Sequence, residues 1–100
     1  MNPSKLILLV EDNANDELFI RKALQKMNCP HQINIARDGQ QALDILNDLH
    51  KNTTNKALPD LILLNINLPK INGLEVLKFV KENEYSKQIP IVMFTSSLEK

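Results

Sequence analysis

The sequence predicts an α/β domain, a parallel sheet covered by helices on both faces. Three observations carry that prediction. Four short apolar runs alternate with three stretches of helical periodicity, and strands joined by helical crossovers must lie parallel. Polar side chains follow these runs at once: Glu11 and Asp12 after the first, Asn65 with Asn67 at the third, Thr95 at the fourth. That is how the carboxyl edge of an open sheet presents reactive groups. Finally, 100 residues with 43% hydrophobic and 24% charged content suit one domain around one core.

Lys5 to Val10 is apolar without a helical polar face, which marks a strand buried on both sides. The polar stretch Glu11 to Glu17 places acids where a helix N-terminus favours them, with Asn15 as the expected N-cap. Phe19, Ile20, Ala23, Leu24 and Met27 share one helical face opposite Arg21, Lys22, Gln25 and Lys26, so an amphipathic helix is expected to end near Pro30. His31 to Ala36 alternates, with Ile33 and Ile35 on one side, as a strand near a sheet edge does. Asp38-Gly39 signals a turn and a helix start; Ala42, Ile45, Leu46 and Leu49 form the buried stripe of that second helix. Beyond a polar loop from Lys51 to Lys56, Asp60 to Asn65 reads as the third strand. Asn72-Gly73 reads as a tight turn, and Gly73, Val76, Leu77 and Val80 set a third helix whose Lys78, Lys81, Glu82 and Glu84 are solvated. Ile89 to Thr95 is the fourth strand, with Pro90 near its start, where a lost ladder donor costs least.

Composition narrows the function classes. Lys+Arg 12 against Asp+Glu 12 leave a formal net charge of +0, so no overall field draws the domain to nucleic acid or to a membrane. The first apolar run is too short for a transmembrane helix and lacks a signal-peptide cleavage pattern, so a cytoplasmic protein is expected. Cys29 is the single cysteine, which excludes an internal disulfide, and it reads as a packing residue at a helix end. His31 and His50 have no second ligand or nucleophile at a useful spacing. Both read as solvated, and no independent catalysis is expected.

Right-handed crossovers bring Glu11, Asp12, Asn65, Asn67 and Thr95 to one edge of the sheet. Two acids beside a third oxygen-bearing side chain suit a hard divalent cation such as Mg²⁺. A cation there neutralises the oxygens of a transferring phosphoryl group, and the Thr95 hydroxyl can donate to one of them. Plainer readings cover the same residues: the acids favour the dipole of the first helix, Asn65 ends a buried strand, Asn67 forms a turn before Leu68-Pro69, and Thr95 is a β-branched strand residue. A nucleotide or flavin site fits poorly, because Glu11, Asp12, Asp16 and Glu17 would repel a phosphate at the first loop.

The segments 7–13 (ILLVEDN), 36–43 (ARDGQQAL), 59–69 (PDLILLNINLP), 72–77 (NGLEVL) and 89–96 (IPIVMFTS), in that order and spacing, tip the balance. Through them the chain resembles the receiver domain of two-component response regulators over essentially all its length. The polar loop before Pro59 resembles that of stand-alone receivers that include partners of bacterial phytochromes. The resemblance implies a flavodoxin-like doubly wound sheet of strand order 2-1-3-4, residues 1–100 forming one receiver domain that stops before a fifth strand and the helices around it. It also implies a sensor histidine kinase as partner, Asp12 as a direct Mg²⁺ ligand, Glu11 as a ligand through water, contacts from position 65 and from the Asn67 carbonyl, and Thr95 as the switch hydroxyl.

Two departures qualify this. Asn65 stands where receivers carry the phosphoryl-accepting aspartate; its amide lacks the charge and nucleophilicity of a carboxylate, so phosphoryl acceptance is expected to be absent and Mg²⁺ binding weakened. The sequence also stops at Lys100, from which the fourth strand is expected either to be an exposed edge that pairs with another chain or to belong to a longer polypeptide. Lys100 itself lies too close to that strand to be the family's later lysine. Beside a disabled receiver stands the alternative of a natural pseudo-receiver that docks proteins without phosphorylation.

Overall fold

The computed structural model describes residues 5–27, 30–51, 58–68 and 71–95, with side chains of α2 described up to residue 48. Its elements are β1 (Lys5–Val10), α1 (Ala14–Gln25), β2 (His31–Ala36), α2 (Gly39–Lys51), β3 (Leu61–Asn65), α3 (Gly73–Glu82) and β4 (Ile91–Phe94). Every pairing is parallel, and the order β2-β1-β3-β4 is the one expected of a flavodoxin-like sheet. Among the described residues β2 and β4 are the outer strands.

The chain steps from β1 outward to β2, then back across β1 to β3. Right-handed connections made in opposite directions put α1 on one face and α2 with α3 on the other. Register shows which side chains each face receives. Leu8 aligns with Ile62 and Val10 with Leu64, and these in turn with Ile91 and Met93. Leu8, Val10, Ile62 and Leu64 make the buried core with Ala42 and Leu46 of α2 and Val76 and Val80 of α3, and the partly buried Ile91 and Met93 pack against it. Ile7, Leu9, Leu61 and Leu63 alternate to the opposite face. There Leu24 of α1 and Met27 just past its end share with Ile7 and Leu61 a cavity of about 200 Å³, rimmed by Lys5, His31 and Asp60.

Several expectations are corrected. Asn13, not Asn15, caps α1: its side-chain oxygen accepts from the Asp16 N–H at 2.9 Å, because the helix begins as soon as the chain clears Asp12. α1 also stops at Gln25, short of Pro30, where Lys26 and Met27 close the last turn onto Ala23 and Leu24. Its amphipathic stripe is only partly covered: Ile20 and Leu24 are half-buried, whereas Phe19 is 74% exposed and Met27, just past the helix, 55%. Periodicity reports which side chains share a helix face, and says nothing of whether a surface exists to cover it. Asp60 lies outside β3 and brackets β1 instead, donating its N–H to the Leu6 carbonyl at 2.7 Å and accepting the Leu6 N–H at 2.8 Å. His31 is half-buried rather than solvated. Cys29, Lys100, the loop 52–56 and the side chains of Leu49 and His50 lie outside the described residues.

One glycine governs how the site is framed. A Cβ on Gly73 would lie 2.5 Å from the Asn65 carbonyl oxygen and 2.7 Å from Ile66 Cα, so only glycine lets the start of α3 back onto the end of β3. The Gly73 N–H uses that approach, donating to the Ile66 carbonyl at 2.9 Å.

Candidate functional site

Strand order reverses between β1 and β3, so the crevice outside their carboxyl ends is left uncovered by either crossover. Glu11 leaves β1 there and Asn65 closes β3 there. Both are withdrawn from solvent, Glu11 at 0% and Asn65 at 1% exposure. They meet directly: the Asn65 Nδ2 donates to Glu11 Oε1 at 3.1 Å and to Oε2 at 3.3 Å. The other end of the amide is also used, Asn65 Oδ1 accepting the Asn67 N–H at 3.0 Å. A carboxylate can only accept and a main-chain N–H can only donate, so these partners fix which way the amide points.

Glu11 accepts once more, from the Asn13 N–H at 3.0 Å, and its own N–H donates to the Ala36 carbonyl at 2.9 Å. Burial pushes its carboxyl above the ordinary carboxylate range. The bonds from Asn13 and Asn65 oppose that rise, and the charges of Asp16 and Asp12 reinforce it. Asp12 and the Asn67 side chain are exposed at the same rim. Thr95, exposed, follows β4 directly, whose Phe94 is the register partner of Asn65 and accepts the Ile66 N–H at 2.8 Å. The five sequence-selected residues thus share the carboxyl edge, with Glu11 and Asn65 in contact.

A second set of side chains was not foreseen. Glu17 Oε1 accepts from Arg37 Nη2 at 2.5 Å and its Oε2 from Arg21 Nε at 2.7 Å. Arg37 Nη1 also reaches the Glu11 carbonyl at 3.4 Å. The two guanidinium bonds hold the Glu17 carboxyl below the usual range, Arg21 contributing most. Glu17 and Arg21 stand at i and i+4, a legible helix pair; Arg37 joins from 20 residues away, which no local pattern announces. Asn72 likewise does more than turn the chain. Its side chain accepts the Glu75 N–H at 3.0 Å while Glu75 reaches back to the Asn72 N–H at 3.3 Å, a capping box for α3 that the N-x-x-E spacing could have announced.

Glu11 and Asp12 are the hard oxygen donors a divalent cation takes. Asn65 does not fit beside them as oriented, because it turns N–H groups, which have no lone pair to offer, toward Glu11. Among the described residues no three His, Cys, Asp or Glu side chains gather into a metal-holding group. No helix among them is long and apolar enough to cross a membrane.

The model of the response regulator receiver domain matches residues 7–100. Response regulator Rcp1 of Synechocystis sp. is 42% identical over 96 residues, covering 96% of this chain and 65% of Rcp1. Among solved structures, the bacteriophytochrome response regulator AtBRR superposes with a TM-score of 0.83 at 40% identity over 97% of this chain and 70% of its own. The Mn(2+)-bound form of Rcp1 gives a TM-score of 0.81 at 40% identity, over 96% of this chain and 68% of its own. The chain therefore spans about two thirds of the proteins it matches. With its strand order, its acidic turn after β1 and a family match over nearly every residue, the chain belongs to the receiver domains of two-component response regulators.

Proposed function

We propose that this chain is a receiver module whose acceptor position is silent. In a receiver bearing aspartate at position 65, a carboxylate oxygen attacks the phosphorus of a kinase phosphohistidine; an O–P bond forms as the N–P bond breaks and the imidazole leaves. The observation that supports silence here is the double engagement of the Asn65 amide, nitrogen on Glu11 and oxygen on Asn67. An uncharged amide so held has no free nucleophilic oxygen. The domain is then a phosphorelay receiver, partnered with a sensor histidine kinase in the cytoplasm, in which phosphoryl transfer is disabled at position 65, and it catalyses nothing on its own; a phosphorylation-independent docking module is the alternative.

Rcp1 has been solved with Mn(2+). In this chain Glu11 and Asp12 are the residues that would face such a cation, supplying two negative charges where an aspartate at 65 would add a third. Weak Mg²⁺ binding is the consequence. Thr95 keeps the place of the switch hydroxyl, with no acyl phosphate to draw it in. The uncharged strand Ile91–Phe94, outermost among the described residues and with Val92 52% exposed, supports pairing of β4 with a second copy. Elution as a monomer with a cooperative melt would count against that pairing.

Incubation with acetyl phosphate and Mg²⁺, read by intact mass, tests the main reading. The chain is expected to gain no phosphoryl mass and the variant Asn65→Asp to gain one. If Asn65→Asp stays unmodified also in a chain extended to the length of its relatives, phosphorylation-independent docking becomes the better account; if the unaltered chain is modified, the silent-acceptor reading is wrong.

A further inference from the structure

We propose that Arg37, gripped by Glu17, is a positioning residue that holds the Glu11–Asn65 pair in place. The pairing of β1 with β2 ends at Val10 and Ala36. Glu11 lies one residue beyond it and must nonetheless be fixed, since it carries the carboxylate that Asn65 and Asn13 address. Two consecutive residues of the β2 end do this. The Ala36 carbonyl takes the Glu11 N–H at 2.9 Å, and the Arg37 guanidinium reaches the Glu11 carbonyl at 3.4 Å.

That second contact is long, and a guanidinium 42% exposed would not keep it unaided. Glu17 supplies the restraint. Its side chain is 13% exposed and binds Arg37 Nη2, so one planar fork spans the acid of α1 and the main chain of Glu11. The Arg37 N–H is tied as well, to Gln41 Oε1 at 2.7 Å, and Gln41 is held in turn by Asp38. The bridge thus links the first turn of α1, the turn before α2 and the buried acid of the site. Arg21 provides a built-in control: it binds the same Glu17 carboxylate at 2.7 Å but stays on α1.

This inference rests on the Asn65 amide being held as described, and the test separates the two. The side-chain amide protons of ¹⁵N-labelled Asn65 are followed by NMR for chemical shift and for exchange with solvent, with a thermal melt on each variant. In the unaltered chain the pair is expected to be protected. Arg37→Ala should shift it and speed its exchange about tenfold, the scale of one weakened charge-assisted bond. Glu17→Gln should act in the same direction. Arg37→Lys should fail to rescue, since a lysine cannot span both acceptors. Arg21→Ala should leave the Asn65 signals in place although it removes an ion pair from the same carboxylate. Equal effects of Arg21→Ala and Arg37→Ala, rescue by Arg37→Lys, or unmoved Asn65 signals in a folded Arg37→Ala chain would overturn the positioning role. An unprotected Asn65 amide in the unaltered chain would sink the held-amide reading and this proposal together.

Discussion

The two faces of the sheet are built from the same strands but give their helices unequal cover. On the face of α2 and α3, Leu8, Val10, Ile62 and Leu64 are fully buried and touch side chains from both helices. On the face of α1, Leu9 and Ile7 of the sheet are buried too, but no α1 residue is, a cavity of about 200 Å³ remains, and Val92, Leu18 and Phe19 are each more than half exposed. Equal hydrophobicity therefore does not mean equal contribution to stability; area removed from water does. The difference places the more completely packed helices on one side and leaves α1 covered only through its half-buried Ile20 and Leu24 and tied by the Glu17 bridge to Arg37.

The sharpest way to break this contrast is Leu64→Ala, which empties a fully buried site between β3 and both helices. A loss of about 2–5 kcal/mol is expected by denaturant unfolding; a loss under about 1 kcal/mol would show that the packed face does not dominate. Next in size is Asn72→Ala, which deletes the side-chain acceptor of the α3 capping box while leaving the residue's own N–H to Glu75, and should cost about 1 kcal/mol in the same assay.

Glu17→Gln probes the open face through its pH dependence. The folded-state pKa of Glu17 lies below the ordinary value of 4.5, so its ionised form adds stability above that value and loses it as pH falls through the lowered one. The variant should therefore be less stable by up to about 1 kcal/mol near neutrality and match the parent in acid. Glu11 works in the opposite sense: its raised pKa gives stability present below 4.5 and lost as pH climbs through the folded value, whichever residue occupies position 17. Melts from acid to neutral pH that show a constant gap between parent and Glu17→Gln would rule out the charge as the cause. Smallest of all is Phe19→Ala, expected within about 0.5 kcal/mol of the parent despite the size of the ring. A larger loss would mean that α1 is packed on the sheet more closely than its 74% exposed phenyl ring indicates.

Much of the architecture was legible because strand and helix periods are local. Alternating runs gave each of the seven elements, and parallel order followed from their alternation. Boundaries and burial were less legible for physical reasons. Asn13 and Asn15 are equally good caps by composition, and the choice falls to the turn in which Glu11 accepts the Asn13 N–H. The stripe on α1 could not reveal its exposure, because cover comes from other elements. At the site, topology placed Glu11 and Asn65 on one edge, but their bond joins residues 54 apart and depends on the amide having one orientation that satisfies a carboxylate and a main-chain N–H together. Arg37 was invisible for the same reason: its partners lie on a helix and a turn that only the folded sheet brings close.

The central claim is that the Asn65 amide satisfies Glu11 without help from a metal, and Mg²⁺-dependent melting tests it most directly. In metal-free buffer the Asn65→Asp variant should melt below the parent, because a third carboxylate replaces the N–H donors facing Glu11. Millimolar Mg²⁺ should then raise the melting temperature of the variant and leave that of the parent where it was. An equal rise in both chains would show that the cation finds its site with the amide in place, and would contradict the account.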